Sequence, residues 1–230
     1  MFQLNSNLEV KTEVLQGSII YTIDNFYKDP EEVSDYIFNR EVPLWKINQK
    51  PSYNSVYFND RRLIKIEPKL LHVYIFLSRL CKMKYADCAI FTNMTRFFRN
   101  DFNDYGNCFW WPHLDIGYNA VVYFNKDEEN SGTNLYDQKV LDDSEWESKN
   151  ADPEHYLCWR PKEKYSVIKT FKSKYNSLCL FDGSKFPHGM NITNDIYFSD
   201  IPLMSDSQVG WDNYRCNQAF FFKEAGSVLR

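Results

Sequence analysis

Trp111-Pro112-His113-Leu114-Asp115, followed by Asn119-Ala120-Val121-Val122-Tyr123-Phe124-Asn125, is the stretch from which the rest of the chain can be read. The second segment is β-rich, with β-branched and aromatic residues at most positions. The first places a histidine and a carboxylate two residues apart. On a strand, residues i and i+2 share a face, so this spacing lets His113 and Asp115 reach one ion from a single strand. A third candidate ligand, His188, lies far downstream in Phe186-Pro187-His188-Gly189. It follows another β-rich run and turn, Ser177-Leu178-Cys179-Leu180-Phe181-Asp182-Gly183.

Around this centre the chain reads as two helices followed by many short strands. Ser18 to Ile23 is a β-rich run. Asp29 then suits a helix N-cap, Pro30 the first turn, and Glu31 and Glu32 the positive helix end, which predicts a helix from Pro30 to about Arg40, closed by Pro43. A second helix is predicted from Pro68 to about Lys84, where Leu70, Leu71, Tyr74, Leu77, Leu80 and Cys81 recur at helical spacing. His72 falls beside that stripe and reads as a boundary or surface residue. Strands are predicted at Cys88–Phe98, Asn119–Phe124, Thr133–Tyr136, Tyr165–Phe171, Ser177–Phe181 and Cys216–Phe222. This order predicts a mainly β fold, a sandwich or jelly roll with helices packed outside.

Most of Lys126 to Lys164 reads as a polar, solvated insertion, with a short helix near Glu145–Lys149. His155, among charges there, reads as a surface residue. With no linker to divide it, residues 1–230 read as one domain: strand and helices (18–84) on a β core (88–222), with the insertion at 126–164.

Composition narrows the function. The 17% aromatic content needs buried faces, which excludes a disordered chain. A net charge of −4 lacks the basic footprint of a nucleic-acid binder. No apolar run reaches the ~20 residues of a membrane helix, and Met1-Phe2-Gln3-Leu4-Asn5 does not resemble a signal peptide, so a cytoplasmic protein is expected. The cysteines, Cys81, Cys88, Cys108, Cys158, Cys179 and Cys216, form no Cys-x-x-Cys pair and read as reduced core residues.

Two histidines and one carboxylate on one face of a metal leave the other face open, the ligand set of non-haem Fe(II) oxygenases. The order of segments resembles the 2-oxoglutarate/Fe(II)-dependent dioxygenases, in particular the prolyl 4-hydroxylase-like branch. There a His-x-Asp precedes a strand ending in Tyr-x-Asn (here Tyr123-Phe124-Asn125) and a Gly-Gly-x-Thr-like turn (here Ser131-Gly132-Thr133). A distal histidine and a basic residue follow. The resemblance runs from about Cys88 to Phe222. Within the branch it is closest to small oxygenase-like proteins, some of them phage-encoded.

The resemblance implies a double-stranded β-helix core, with His113, Asp115 and His188 as iron ligands. It implies Arg215, at the head of Tyr214-Arg215-Cys216-Asn217-Gln218, as the partner of the far carboxylate of 2-oxoglutarate. Arg96 is the competing candidate. Tyr123 and Tyr136 are candidate cosubstrate contacts or plain core residues, and Trp110 and Trp111 candidate pocket walls or packing residues. The implied reaction takes Fe(II), 2-oxoglutarate and O2, hydroxylates a substrate, and releases succinate and carbon dioxide. That substrate is a peptide side chain, a nucleotide or a small metabolite, chosen by the loops Asn100–Cys108, Lys126–Lys164 and Asn191–Asp212.

The chain departs from the family pattern in three places. The gap from His188 to Arg215 is long, Ser131 replaces a glycine, and Arg96-Phe97 stands where the family has Arg-Tyr. The competing reading is a non-catalytic binding or virion structural protein on the same scaffold. A zinc hydrolase ranks last, for want of a general base paired with the site.

Overall fold

A computed structural model of the chain describes residues 1–39, 60–64, 68–97, 106–125, 132–137, 159–193 and 215–226. In chain order these form β1 (Glu9–Leu15), β2 (Ser18–Asp24), α1 (Pro30–Asn39), β3 (Asp60–Ile64), α2 (Leu71–Leu80), β4 (Cys88–Phe97) and β5 (Cys108–His113). They continue with β6 (Tyr118–Tyr123), β7 (Gly132–Tyr136), β8 (Trp159–Pro161), β9 (Val167–Lys172), β10 (Leu178–Asp182), β11 (His188–Met190) and β12 (Arg215–Glu224). The strands make two antiparallel sheets, ordered β1-β2-β10-β6-β12-β4-β3 and β8-β5-β11-β7-β9.

Four of the pairings are nested. β4 pairs with β12 and β6 with β10 in the larger sheet. β5 pairs with β11 and β7 with β9 in the smaller one. Apart from β8, these eight strands are consecutive, so the first pairs with the last, the second with the seventh, and so inward. That is one long antiparallel ribbon rolled into two facing sheets, the jelly roll expected from the sequence.

The larger sheet is covered on both faces. Ala120, Val122, Phe124, Leu178, Leu180, Phe220 and Phe222 join Val73, Tyr74 and Leu77 of α2 and Val33 of α1 in one core. The alternate residues Tyr123, Cys179 and Phe181 meet Leu135, Phe171 and Phe186 between the sheets. Double coverage explains why β6 and β10 read as nearly continuous apolar runs rather than alternating ones. Burying each such Leu, Val or Phe side chain contributes about 1.5–3 kcal/mol.

Several sequence expectations are corrected. The second helix is shorter than predicted: Pro68–Leu70 is a 3₁₀ turn, α2 ends at Leu80, and Lys84 lies outside it. Leu71, placed in its buried stripe, is 43% exposed; Val73 and Ser78 complete that face instead. His72 is exposed, as expected, and its Nε2 lies 2.7 Å from the Phe2 carbonyl oxygen. Within the polar insertion, the strand predicted at Thr133–Tyr136 is β7, which begins one residue earlier with all five residues buried, and β8 is an additional strand. β8 has three residues and owes its place to its pairing with β5 rather than to its own sequence. The predicted Glu145–Lys149 helix, Pro43, His155 and Cys158 lie outside the described residues; Cys81, Cys88 and Cys179 are free thiols. Among the described residues no helix is long and apolar enough to cross a membrane.

Gly117 makes the sharp passage from β5 to β6, at φ +81°. A Cβ there would stand 2.1 Å from the Phe222 carbonyl oxygen, a backbone atom of β12. Gly117→Ala therefore meets both left-handed backbone strain and a clash that no side-chain rotation relieves. It is expected to destabilise the fold by about 2–4 kcal/mol, read as a lower urea midpoint with unchanged slope. Gly106→Ala, with nothing within 4 Å of the new carbon, serves as the control.

Candidate metal centre

His113 closes β5 and lies directly opposite His188, the first residue of β11. Residues facing each other across an antiparallel pair hold their Cβ atoms about 5 Å apart. Strand pairing therefore brings two histidines from 75 positions apart into contact, with ring centroids 4.5 Å apart. Asp115 sits two residues beyond the end of β5, not on the strand as the i, i+2 reading assumed. Its position is fixed in the turn by its own N–H, which donates to the Gly183 carbonyl at 3.0 Å, tying it to the end of β10.

Asp115 Oδ2 lies 3.2 Å from His188 Nε2 and 3.6 Å from His113 Nε2. One ligand atom from each of the three residues lies within 4.8 Å of the others. An ion with bonds of about 2.0–2.2 Å places adjacent ligand atoms roughly 3 Å apart, so these spacings suit neighbouring coordination positions. His188 is 6% exposed, and its Nδ1 sits 3.0 Å from the Phe186 carbonyl oxygen. An Nδ1–H donated to that carbonyl leaves the Nε2 lone pair facing the cluster.

The charges also suit a cation. Burial alone would raise the Asp115 pKa, but the imidazoles of His113 and His188 outweigh it and hold the carboxyl well below the usual carboxylate range. Burial, aided by His113, lowers the His188 pKa against the opposing pull of Asp115 and the Phe186 carbonyl. An ionised carboxylate beside a neutral imidazole is the protonation state that metal binding requires.

A second polar cluster lies deeper between the sheets. Arg215, at the head of β12, is 1% exposed and donates from Nη2 to the Gly132 carbonyl of β7 at 2.9 Å. Tyr123 is 2% exposed, with its hydroxyl 2.6 Å from Thr133 Oγ1 and 3.2 Å from Cys179 Sγ. Burial lowers the Arg215 pKa to about 10, partly offset by Tyr123, Cys216 and Cys179, and it stays charged at neutral pH. His188 is opposite Leu135, and Thr133 lies two residues farther along β7, about 7 Å deeper at the rise of a strand.

Of the other candidates, Arg96 lies in β4 paired with Cys216, which belongs to the helix-side core; its side chain is outside the described residues. Tyr136 is buried and packs against Phe109 and Tyr165. Trp110 is 3% exposed, and the Trp111 side chain is outside the described residues. Asp182 forms the expected turn, accepting from the N–H and hydroxyl of Ser184. Asn125 Oδ1 accepts from the Cys216 N–H at 2.8 Å, joining β6 to the start of β12. Most of the three predicted substrate loops lies outside the described residues.

Sequence reasoning missed Asn119, Thr133 and Gly183. Asn119 Nδ2 lies 2.5 Å from Asp115 Oδ2 and 2.8 Å from His188 Nε2. Gly183 gives it room, since a Cβ there would stand 2.9 Å from the Asn119 carboxamide.

No family model and no curated protein matches the chain. Solved structures match at a distance, among them these three. An oxidoreductase of the 2OG-Fe(II) oxygenase family from Burkholderia pseudomallei is 12% identical over 86% of this chain and 79% of its own, with a TM-score of 0.43. EvdO2 from Micromonospora carbonacea var. aurantiaca is 9% identical over 89% and 86%, with a TM-score of 0.46. A prolyl 4-hydroxylase structure from Phytophthora capsici is 10% identical over 90% of this chain, which spans 59% of that longer one, with a TM-score of 0.42. Likeness this distant does not carry a function from one protein to another.

Proposed function

We propose that the chain is an Fe(II)- and 2-oxoglutarate-dependent oxygenase that oxidises a peptide side chain, nucleotide or small metabolite. The carrying observation is the meeting of His113, Asp115 and His188, from two strands and a turn, with ligand atoms within 4.8 Å of one another. Two imidazoles and one carboxylate on one side of an ion are the donor set of non-haem iron enzymes. When bound, iron supplies the activation of O2, coupled to oxidative decarboxylation of 2-oxoglutarate to succinate and carbon dioxide.

The protein's part is binding, orientation and exclusion of water. Asp115 supplies the negative charge that partly neutralises the ion. Arg215, a buried planar cation, suits the far carboxylate of the diacid, with Tyr123 and Thr133 offering hydroxyls beside it. Phe181, edge-on to His188 at 4.8 Å, keeps one side of that ring dry.

Protein purified without oxygen is expected to bind one Fe(II) per chain and to release succinate from 2-oxoglutarate when O2 is admitted, even with no substrate added. A folded protein that holds no divalent ion sinks the proposal. One that holds the ion but never consumes 2-oxoglutarate is a binding protein on this scaffold.

A further inference from the structure

Asn119 stands at the edge of the space that the three ligands enclose. It is 3% exposed, on β6 opposite Phe181 of β10 and Phe221 of β12. Its Nδ2 is nearer to Asp115 Oδ2 and His188 Nε2, at 2.5 and 2.8 Å, than those two atoms are to each other, at 3.2 Å. An ion bonded to both at about 2.1 Å cannot lie more than about 3.5 Å from that nitrogen. The N–H groups now facing Asp115 and His188 would then point at a cation and compete for the lone pairs it takes.

The carboxamide can answer this without leaving. A half-turn about Cβ–Cγ exchanges Nδ2 and Oδ1 and leaves the side chain's outline unchanged. Oδ1 is buried and has no hydrogen-bond partner among the described residues, so turning it away breaks no bond there. Retreat is limited, because the carboxamide already fills the space that Gly183 leaves beside its backbone.

We propose that Asn119 is a fourth protein ligand, its Oδ1 turning to the ion as the ion enters. This rests on the metal reading above and deepens it. The centre would then keep two open positions rather than three, enough for a chelating 2-oxo acid. A neutral amide oxygen is also the ligand most readily displaced.

The test is Mn(II) binding to the parent, Asn119→Ala and Asn119→Asp, each checked for folding by near-UV circular dichroism. Asn119→Ala is expected to bind Mn(II) at least about tenfold more weakly. Asn119→Asp keeps an oxygen at the same place and is expected to bind at least as tightly as the parent. If Asn119 only donates N–H groups to Asp115, the visible spectrum of Co(II)-loaded Asn119→Ala matches that of the parent. That match, or Mn(II) binding by Asn119→Ala within twofold of the parent, overturns the proposal while leaving the three-residue site intact. A folded parent that binds no Mn(II) ends both readings. Should Asn119→Asp not fold, the visible spectrum of the Co(II)-loaded proteins decides. A changed band in Asn119→Ala supports ligation, and an unchanged one overturns it.

Discussion

Replacing His113 or Asp115 with alanine is expected to reduce Fe(II)-dependent succinate release to background while leaving the fold in place. The loss should be at least ~100-fold, beyond the 10–100-fold typical of residues that only support a metal's ligands. Asp115 is the more severe case, because it is the one anion in the cluster and removing it leaves two neutral donors facing a dication. The two side chains are 31% and 26% exposed, so neither change opens a deep cavity. Thermal unfolding of the metal-free variants should stay close to that of the parent, which separates loss of the site from loss of the protein. Both variants turning over at the parent rate would mean that iron, if present, is held elsewhere.

How far this site could be read from the sequence depends on how each residue is placed. His113 and His188 were legible because each adjoins a strand with a strong β signature. Asp115 was legible as a partner of His113, but for an incomplete reason. Its position comes from a backbone bond to Gly183, and no local pattern predicts that bond. Asn119 was not legible at all. An asparagine at a strand's start shows neither which face it takes nor what it meets until the pairings of β6 with β10 and β12 are known.

The same division runs through the fold. β6, β10 and β12 carry apolar and aromatic runs because both faces of their sheet are covered. β1, Glu-Val-Lys-Thr-Glu-Val-Leu, is exposed along almost its whole length, although Val10, Thr12 and Val14 alternate with Glu9, Lys11 and Glu13. It forms because Gln16 and Gly17, both at positive φ, make the tight turn that returns the chain onto β2. β8 and β11 have three residues each and exist through their partners. Sequence pattern reports the burial of an element, whereas pairing with a distant strand leaves little local trace.

Arg215→Met should separate cosubstrate binding from metal binding. Arg215 is held between the sheets by its bond to the Gly132 carbonyl, and methionine fills much of the same volume without the charge. If Arg215 binds the far carboxylate of 2-oxoglutarate, its loss removes a buried, charge-assisted pair worth about 2–5 kcal/mol. The KM for 2-oxoglutarate is then expected to rise about 30-fold or more. Mn(II) affinity should match the parent, because the arginine's partner, Gly132, lies three residues beyond the one opposite His188 along β7, about 10 Å at the rise of a strand. Arg215→Lys keeps the charge but not the planar fork, so its KM should fall between the two. Some stability is also lost with the bond to Gly132, and a urea titration of the same variant measures that share independently. An unchanged KM in a folded Arg215→Met protein would leave the arginine as a strut between the sheets.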